Sequence, residues 1–408
     1  MSDLVTSYLD LIDEDPFPFY AELFEKHDNV HWDAGMNAWM VFDRADCAEV
    51  QRNEAVFEHP YGMLPGAVRV QGGARQVLML QGEDHNKVHL FLIRHFSTKI
   101  VEQYRERYIA PLVTRMLTGF EADGRGDLDT LFADELPAYV ICALLGVPLD
   151  DQPLLKQCKL WNDDIMRWSE TFGEDPDVLA DALDSADHLA EVLMPIILDR
   201  REHPVDDFIS ALWEEGRDLL PGWDEYDVLA QARVLLFAGS ETTAHLIRNA
   251  LYHLLQKDEL RATLTAEPDQ VNVFIEEVLR YYGVIHFRIR DAATDVELAG
   301  CPIKKGDRVH AVLSAANRDP ARFDHPDTFD MHRLNPRDHL AFGIGPRICV
   351  GANLARAEGV EAVRLVLERF PHLRWDEEAG APPHMVGHMP RSYRPLAARW
   401  DAPVGVES

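Results

Sequence analysis

Near the C-terminal end the run Phe342-Gly343-Ile344-Gly345-Pro346-Arg347-Ile348-Cys349-Val350-Gly351 places a thiol where a glycine-rich loop gives way to a helix. Amides and the positive dipole end at a helix N-terminus favour an anion, so Cys349 is expected to be a thiolate, acting as a metal ligand or a nucleophile. A cysteine in isolation would as often be an ordinary core thiol. The neighbours point elsewhere. Gly343, Gly345 and Gly351 let the backbone approach a flat ligand, Phe342 can shield the sulfur, and Arg347 can pair with a carboxylate. The remaining cysteines, Cys47, Cys142, Cys158 and Cys301, are scattered without CxxC spacing, which argues against a disulfide framework or a zinc site.

Two further groupings carry polar chemistry in apolar surroundings. Val234-Leu235-Leu236-Phe237 runs into Ala238-Gly239-Ser240-Glu241-Thr242-Thr243, where poor helix formers and a carboxylate interrupt a hydrophobic helix and allow a kink or widened turn. Alone, this would be an exposed helix turn. Glu277 and Arg280 stand at i and i+3 of another helix, a spacing that in most proteins is a surface ion pair of little consequence.

Taken with the cysteine loop, these residues resemble the cytochrome P450 family, whose haem loop reads Phe-Gly-x-Gly-x-His/Arg-x-Cys-x-Gly. The resemblance implies haem b, iron protoporphyrin IX, with Cys349 as proximal ligand to the metal, Phe342, Gly343 and Gly351 in the cofactor loop, and Arg347 on a haem propionate. Ala238 to Thr243 is similar to the family's Ala/Gly-Gly-x-Asp/Glu-Thr-Thr, which makes Glu241 and Thr242 the catalytic pair for proton delivery to oxygen. Glu277 and Arg280 match the Glu-x-x-Arg motif, and Arg333 its third, structural partner. Arg290 and His85 match propionate contacts; the family's His-x-x-x-Arg, however, ends here in His89. Val234, Phe237, Ala238, Val284, Ile285 and Met389 are the implied substrate pocket, and they favour an apolar compound.

The implied activity is that of a haem-thiolate monooxygenase that hydroxylates a small apolar organic substrate with O2. A haem-thiolate gas or ligand sensor, or a peroxide-driven oxygenase, would share the cysteine loop. Glu241 and Thr242 separate these readings, because a sensor has no need of an acid-alcohol pair and peroxide-using relatives typically lack it. The resemblance spans nearly the whole chain, leaving nothing for a fused reductase, so a separate ferredoxin and ferredoxin reductase are expected as electron donors. Lys87, Arg94, Lys99, Arg105, Arg107, Arg356 and Arg364 are candidates for a basic docking island.

The elements that must hold these residues read as mainly α with a small β region, the cytochrome P450 fold, in a single domain over 1–408. A helix from Pro18 to His27 precedes a hairpin of Val30 to Trp32 and Trp39 to Phe42; a long loop from His59 to Gly82 precedes helical patterning from His85 to about Leu220. Asp224 to about Gln256 contains no proline and reads as one helix on the order of 50 Å long. Val296 to Leu298 and Val309 to Val312 complete the sheet late, flanking turns at Gly300-Cys301-Pro302 and Lys304 to Asp307. An irregular stretch, 319–338, leads to the cysteine loop and a last helix from Gly351 to Arg369.

Composition sets the boundary conditions. With 47% hydrophobic and 27% charged residues the 408-residue chain is globular, and 40 Lys+Arg against 70 Asp+Glu, a net charge of −30, argues against nucleic acid or anionic lipid as partners. Met1-Ser2-Asp3-Leu4-Val5 lacks the features of a signal peptide and no window suits a membrane span, so a cytoplasmic, bacterial-type monomer without membrane anchor is expected.

Overall fold

A computed structural model describes residues 7–11, 14–60, 62, 64–171, 173–379, 382–387 and 389–402. The reading of Met1 to Val5 lies outside them. The chain sorts into two compact units, one of residues 1–60, 245–349 and 372–399, the other of 61–244, 350–371 and 400–408.

The first unit is built on a five-stranded sheet in the order Val30–Asp33, Ala38–Val41, Arg308–Ala311, Arg288–Ala292, Phe57–Glu58. The expected hairpin forms with Val30 opposite Val41 and Trp32 opposite Trp39. Ala38–Val41 then pairs in parallel with Arg308–Ala311, so the late strand enters beside the hairpin rather than at a free edge. One face buries Val41, Val309, Ala311, Leu313 and Leu340, and a second cluster gathers Tyr20, Met40, Phe42 and Phe287. The first helix, Phe17–Lys26, ends in His27 at φ +56°, a left-handed cap that returns the chain toward the hairpin. The reading of Gly300 to Pro302 as a turn is corrected: Cys301–Ile303 is a strand paired with Val296–Leu298, and the reversal is confined to Ala299 and Gly300, both at positive φ. Residues 319–338 are irregular, as their Pro and Asp content predicts.

The second unit is a stack of helices. Gly82–His95 buries His85, Val88, His89, Phe91 and Leu92, a stripe at helical spacing, with Glu83 and Asp84 in its first turn and Arg94 and His95 in its last, where each sign suits the helix dipole. Leu136–Leu144 is buried along its whole length. Beside it Glu225–Gly239 starts from a capping box in which Asp224 and Asp227 each accept the other's backbone N–H, and every residue from Asp227 to Phe237 is buried. The expected single long helix is interrupted at Ser240, and a new helix, Glu241–Gln256, follows. Between residues 59 and 82 the structure adds a short helix, Ala67–Val70, to what composition reads as loop.

Candidate functional site: the cysteine loop and the helix break

In the first unit the cysteine loop is closed by its own backbone. The Gly343 N–H donates to the Leu340 carbonyl at 2.8 Å, Ile348 N–H to Gly345 at 3.2 Å, and Cys349 N–H to Phe342 at 2.9 Å, a hairpin with the thiol at its exit. Two glycines make this geometry possible. Gly343 and Gly345 sit at φ +71° and +83°, and a Cβ on Gly345 would lie 3.0 Å from the Arg52 Cα. Gln51 Oε1 accepts the Ile344 N–H at 3.3 Å, so the helix Arg44–Arg52 serves as the floor of the loop. Phe342, Gly343 and Cys349 all keep accessible surface. Gly351 is the N-cap of the last helix, Ala352–Arg369, which starts one residue later than the sequence suggests.

Positive charge collects in the same unit. Arg347 is ion-paired with Glu54. Arg290 lies in the sheet with Nη1 donating to the Ile289 carbonyl at 2.8 Å, while its Nε is buried with no partner among the described residues. Burial first, then the Arg288 and Arg347 charges, push the Arg290 guanidinium down to about 10, with Glu54 opposing. Arg288, which sequence reasoning missed, stands two residues before it on the same strand face. The Arg-x-Arg alternation in a strand was the available signal. Burial lowers its pKa, and the Cys349 thiol is close enough to oppose the shift.

Approach to the loop is fixed by a buried ion cluster. Both Glu277 and Arg280 are fully buried and joined by two hydrogen bonds of 2.7 and 2.8 Å; Arg333 Nε donates to the same Glu277 carboxylate at 3.0 Å. Arg280 also donates to the Asn317, Pro326 and Thr328 carbonyls. The three predicted residues are thus together, and they pin the irregular stretch. His253, missed by the sequence reading, stacks on Phe329 of that stretch at 3.7 Å and bonds Tyr282 at 2.7 Å; burial lowers its pKa to about 4. Of the predicted pocket residues in this unit, Val284 is buried, Ile285 is half-buried, and Met389 packs at the rim of the second hydrophobic cluster.

In the second unit the helix break brings Glu241 and Thr242 to partly accessible positions between two long buried runs, with Val234 and Phe237 buried and Ala238 exposed. Ser240 and Thr242 donate their hydroxyl hydrogens to the carbonyls of Leu236 at 2.6 Å and Ala238 at 2.7 Å, the back-bonding that loosens a helix. Gly239 lets a neighbouring helix approach: a Cβ there would meet Ile141 Cδ1 at 2.8 Å. Asp163, also missed, is raised to about 6, by burial first, with Glu241 among the groups opposing its ionisation and Lys159 paired with it at 2.7 Å. His85 and His89 are both buried, their rings 5.0 Å apart.

The candidate basic island is largely committed to carboxylates of its own unit: Lys87 to Glu83, Arg94 to Glu215, Arg105 to Glu102, Arg107 to Asp206 and Arg364 to Glu361. Among the described residues no helix is long and apolar enough to cross a membrane.

The cytochrome P450 sequence family matches residues 4–387. The chain belongs to the cytochrome P450 family. It is 33% identical to the cytochrome P450 monooxygenase PikC of Streptomyces venezuelae over 95% of this chain and 91% of that one, and 31% identical to the putative cytochrome P450 YjiB of Bacillus subtilis (strain 168) over 88% of each. Among solved structures, CalO2 superimposes with a TM-score of 0.86 at 26% identity, covering 98% of this chain and 100% of that one. P450BioI, solved with an acyl carrier protein carrying hexadec-9Z-enoic acid, gives 0.84 at 26% identity, with 96% and 100% covered. The fold is that of the P450s, the enzyme is a haem-thiolate monooxygenase, and its cofactor is haem b. The residues present suit that cofactor: a glycine-cleared loop ending in an accessible thiol, and a buried Arg290 nitrogen still lacking an acceptor.

Proposed function

We propose that this P450 hydroxylates a small apolar organic molecule, as one domain over 1–408, a cytoplasmic monomer supplied with electrons by a separate ferredoxin and ferredoxin reductase. Cys349 would ligate the haem iron, and Arg290, Arg347 and His85 would hold the propionates. When bound, haem supplies the redox chemistry that activates O2. The protein's part is to place a charged sulfur, to admit an apolar compound beside Val234, Phe237, Ala238, Val284, Ile285 and Met389, and to move protons.

The observation that carries the reading is the helix break. There Thr242 Oγ1 is held by the Ala238 carbonyl, one residue after Glu241, at partly accessible positions in an otherwise buried pair of helices. A hydroxyl so held keeps its lone pairs outward to accept a hydrogen bond from water, and the adjacent carboxyl can take protons up and pass them on. A ligand sensor makes no use of that pair.

The test is the absorption spectrum of the reduced, carbon monoxide-bound protein. The far red-shifted Soret band of a thiolate-ligated haem is expected, and Cys349→His should abolish that band together with all turnover. A histidine-type band in the unaltered protein, or an unchanged band in the variant, refutes the assignment of Cys349. Apolar compounds added to the same sample are screened by the change in spin state that substrate binding causes.

A further inference from the structure

The family's His-x-x-x-Arg motif is incomplete in this chain, because His89 stands where an arginine is expected and carries less positive charge at neutral pH. In the first unit the opposite has happened. Arg288 adds a guanidinium to a strand that already carries Arg290. Among the described residues the Arg288 side chain makes no hydrogen bond and no ion pair, although protein surrounds it closely enough to lower its pKa, and it still keeps some accessible surface. An enclosed cation left in that condition is costly, so it is suited to an anion that arrives from outside the chain.

Charge counting identifies the anion. Arg288, Arg290 and Arg347 are three cations, and among the described residues the carboxylate that acts on Arg290 and pairs with Arg347 is Glu54. Two positive charges remain. Haem b brings two propionates. With Arg290 and Arg347 alone the balance against Glu54 would leave one charge for two carboxylates. Strand alternation puts Arg288 and Arg290 on one face, with Arg288 opposite Ala311 and Arg290 opposite Val309 in the register. We propose that Arg288 is the cation this chain supplies to the haem propionates in place of the arginine missing at position 89.

The inference rests on haem binding, which the carbon monoxide spectrum of the unaltered protein reads separately. Arg288→Gln in the holoenzyme should release haem to excess apomyoglobin about tenfold faster, as loss of a charge-assisted hydrogen bond predicts. It should also shift the ferric-ferrous equilibrium toward ferric by about three- to tenfold at fixed potential, since a cation near the iron favours the reduced state. Arg288→Lys should stay within about threefold of the unaltered protein on both measurements, and adding His89→Arg to Arg288→Gln should slow release again. If the glutamine variant takes up no haem, the lysine variant decides: normal uptake supports the assignment, and equal failure overturns it.

A carboxylate on the substrate is the other source of the same chemistry. Spin-state titrations with dodecanoic acid and dodecanol separate the two. Wild-type haem release and an unshifted redox equilibrium in Arg288→Gln, whether or not binding of the acid alone is weakened, overturn the proposal; selective loss of acid binding would then assign Arg288 to substrate.

Discussion

The cysteine loop and the helix break are built in opposite ways. In the loop nearly every restraint is backbone: three closing hydrogen bonds, two glycines at positive φ, and a floor at Gln51 and Arg52 that leaves no room for a Cβ. In the break the added restraint comes from side chains, as the Ser240 and Thr242 hydroxyls donate to the carbonyls of Leu236 and Ala238. A metal ligand must be held still before the cofactor arrives, whereas a proton-handling pair must stay soft enough to exchange partners with water. Damage to the loop and its supports should therefore appear as lost stability and haem content, and damage to the break as lost coupling with haem retained.

The strongest challenge to that division is Glu277→Ala. Removing the carboxylate leaves Arg280 and Arg333 buried without their partner, which should cost about 3–5 kcal/mol and empty the protein of haem. Chemical denaturation and the haem-to-protein absorbance ratio measure it. A variant that keeps full haem content would separate the cluster from the loop.

Acid acts on the same support. Buried His253 has a folded pKa of about 4, below the roughly 6.5 of an unfolded histidine, so it binds its proton more readily once unfolded. The stability it confers is present above about pH 6.5 and declines as pH falls toward 4, by about 3 kcal/mol at most. His253→Phe should flatten the fall in melting temperature between pH 7 and 4.5; an unchanged slope would place the acid-sensitive group elsewhere.

Gly345→Ala tests the backbone restraint directly. Positive φ and the Arg52 Cα together should cost roughly 2 kcal/mol and lower haem retention, while coupling per bound haem stays at the unaltered value. The smallest effect, and the sharpest contrast, belongs to Thr242→Ala. Haem and substrate binding should persist, while product per reducing equivalent falls about tenfold, equivalent to roughly 1.4 kcal/mol, with the balance appearing as hydrogen peroxide. Full coupling would remove Thr242 from the proton path.

What the sequence disclosed follows the same division. The loop, the hairpin and the irregular stretch were legible because glycine spacing, period-two alternation and Pro/Asp content act locally. The interruption at Ser240 was legible as a weakness but not as a break, since back-bonding competes with the helix only when packing allows it. That a glycine at 239 lets another group approach is legible, but which group is not, since Ile141 comes from a distant part of the chain. Glu54 beneath Arg347 and His253 against Phe329 left no local signature at all: long-range partners depend on topology, and periodicity cannot supply that. Arg288 did leave one, two arginines on one strand face.

The parallel strand inserted beside the hairpin also bears on the order of assembly. Trp39 donates to Asp307, 268 residues along the chain, and the sheet gains its middle strand only when residues 308–311 exist. A chain emerging from the ribosome must therefore carry this hairpin with one edge open while the next 268 residues are made, exposed to wrong pairing until the late strand arrives. Cys349 is made later still. The hairpin is thus made long before the cofactor site, and the yield of folded protein should depend on how well that open edge is sheltered.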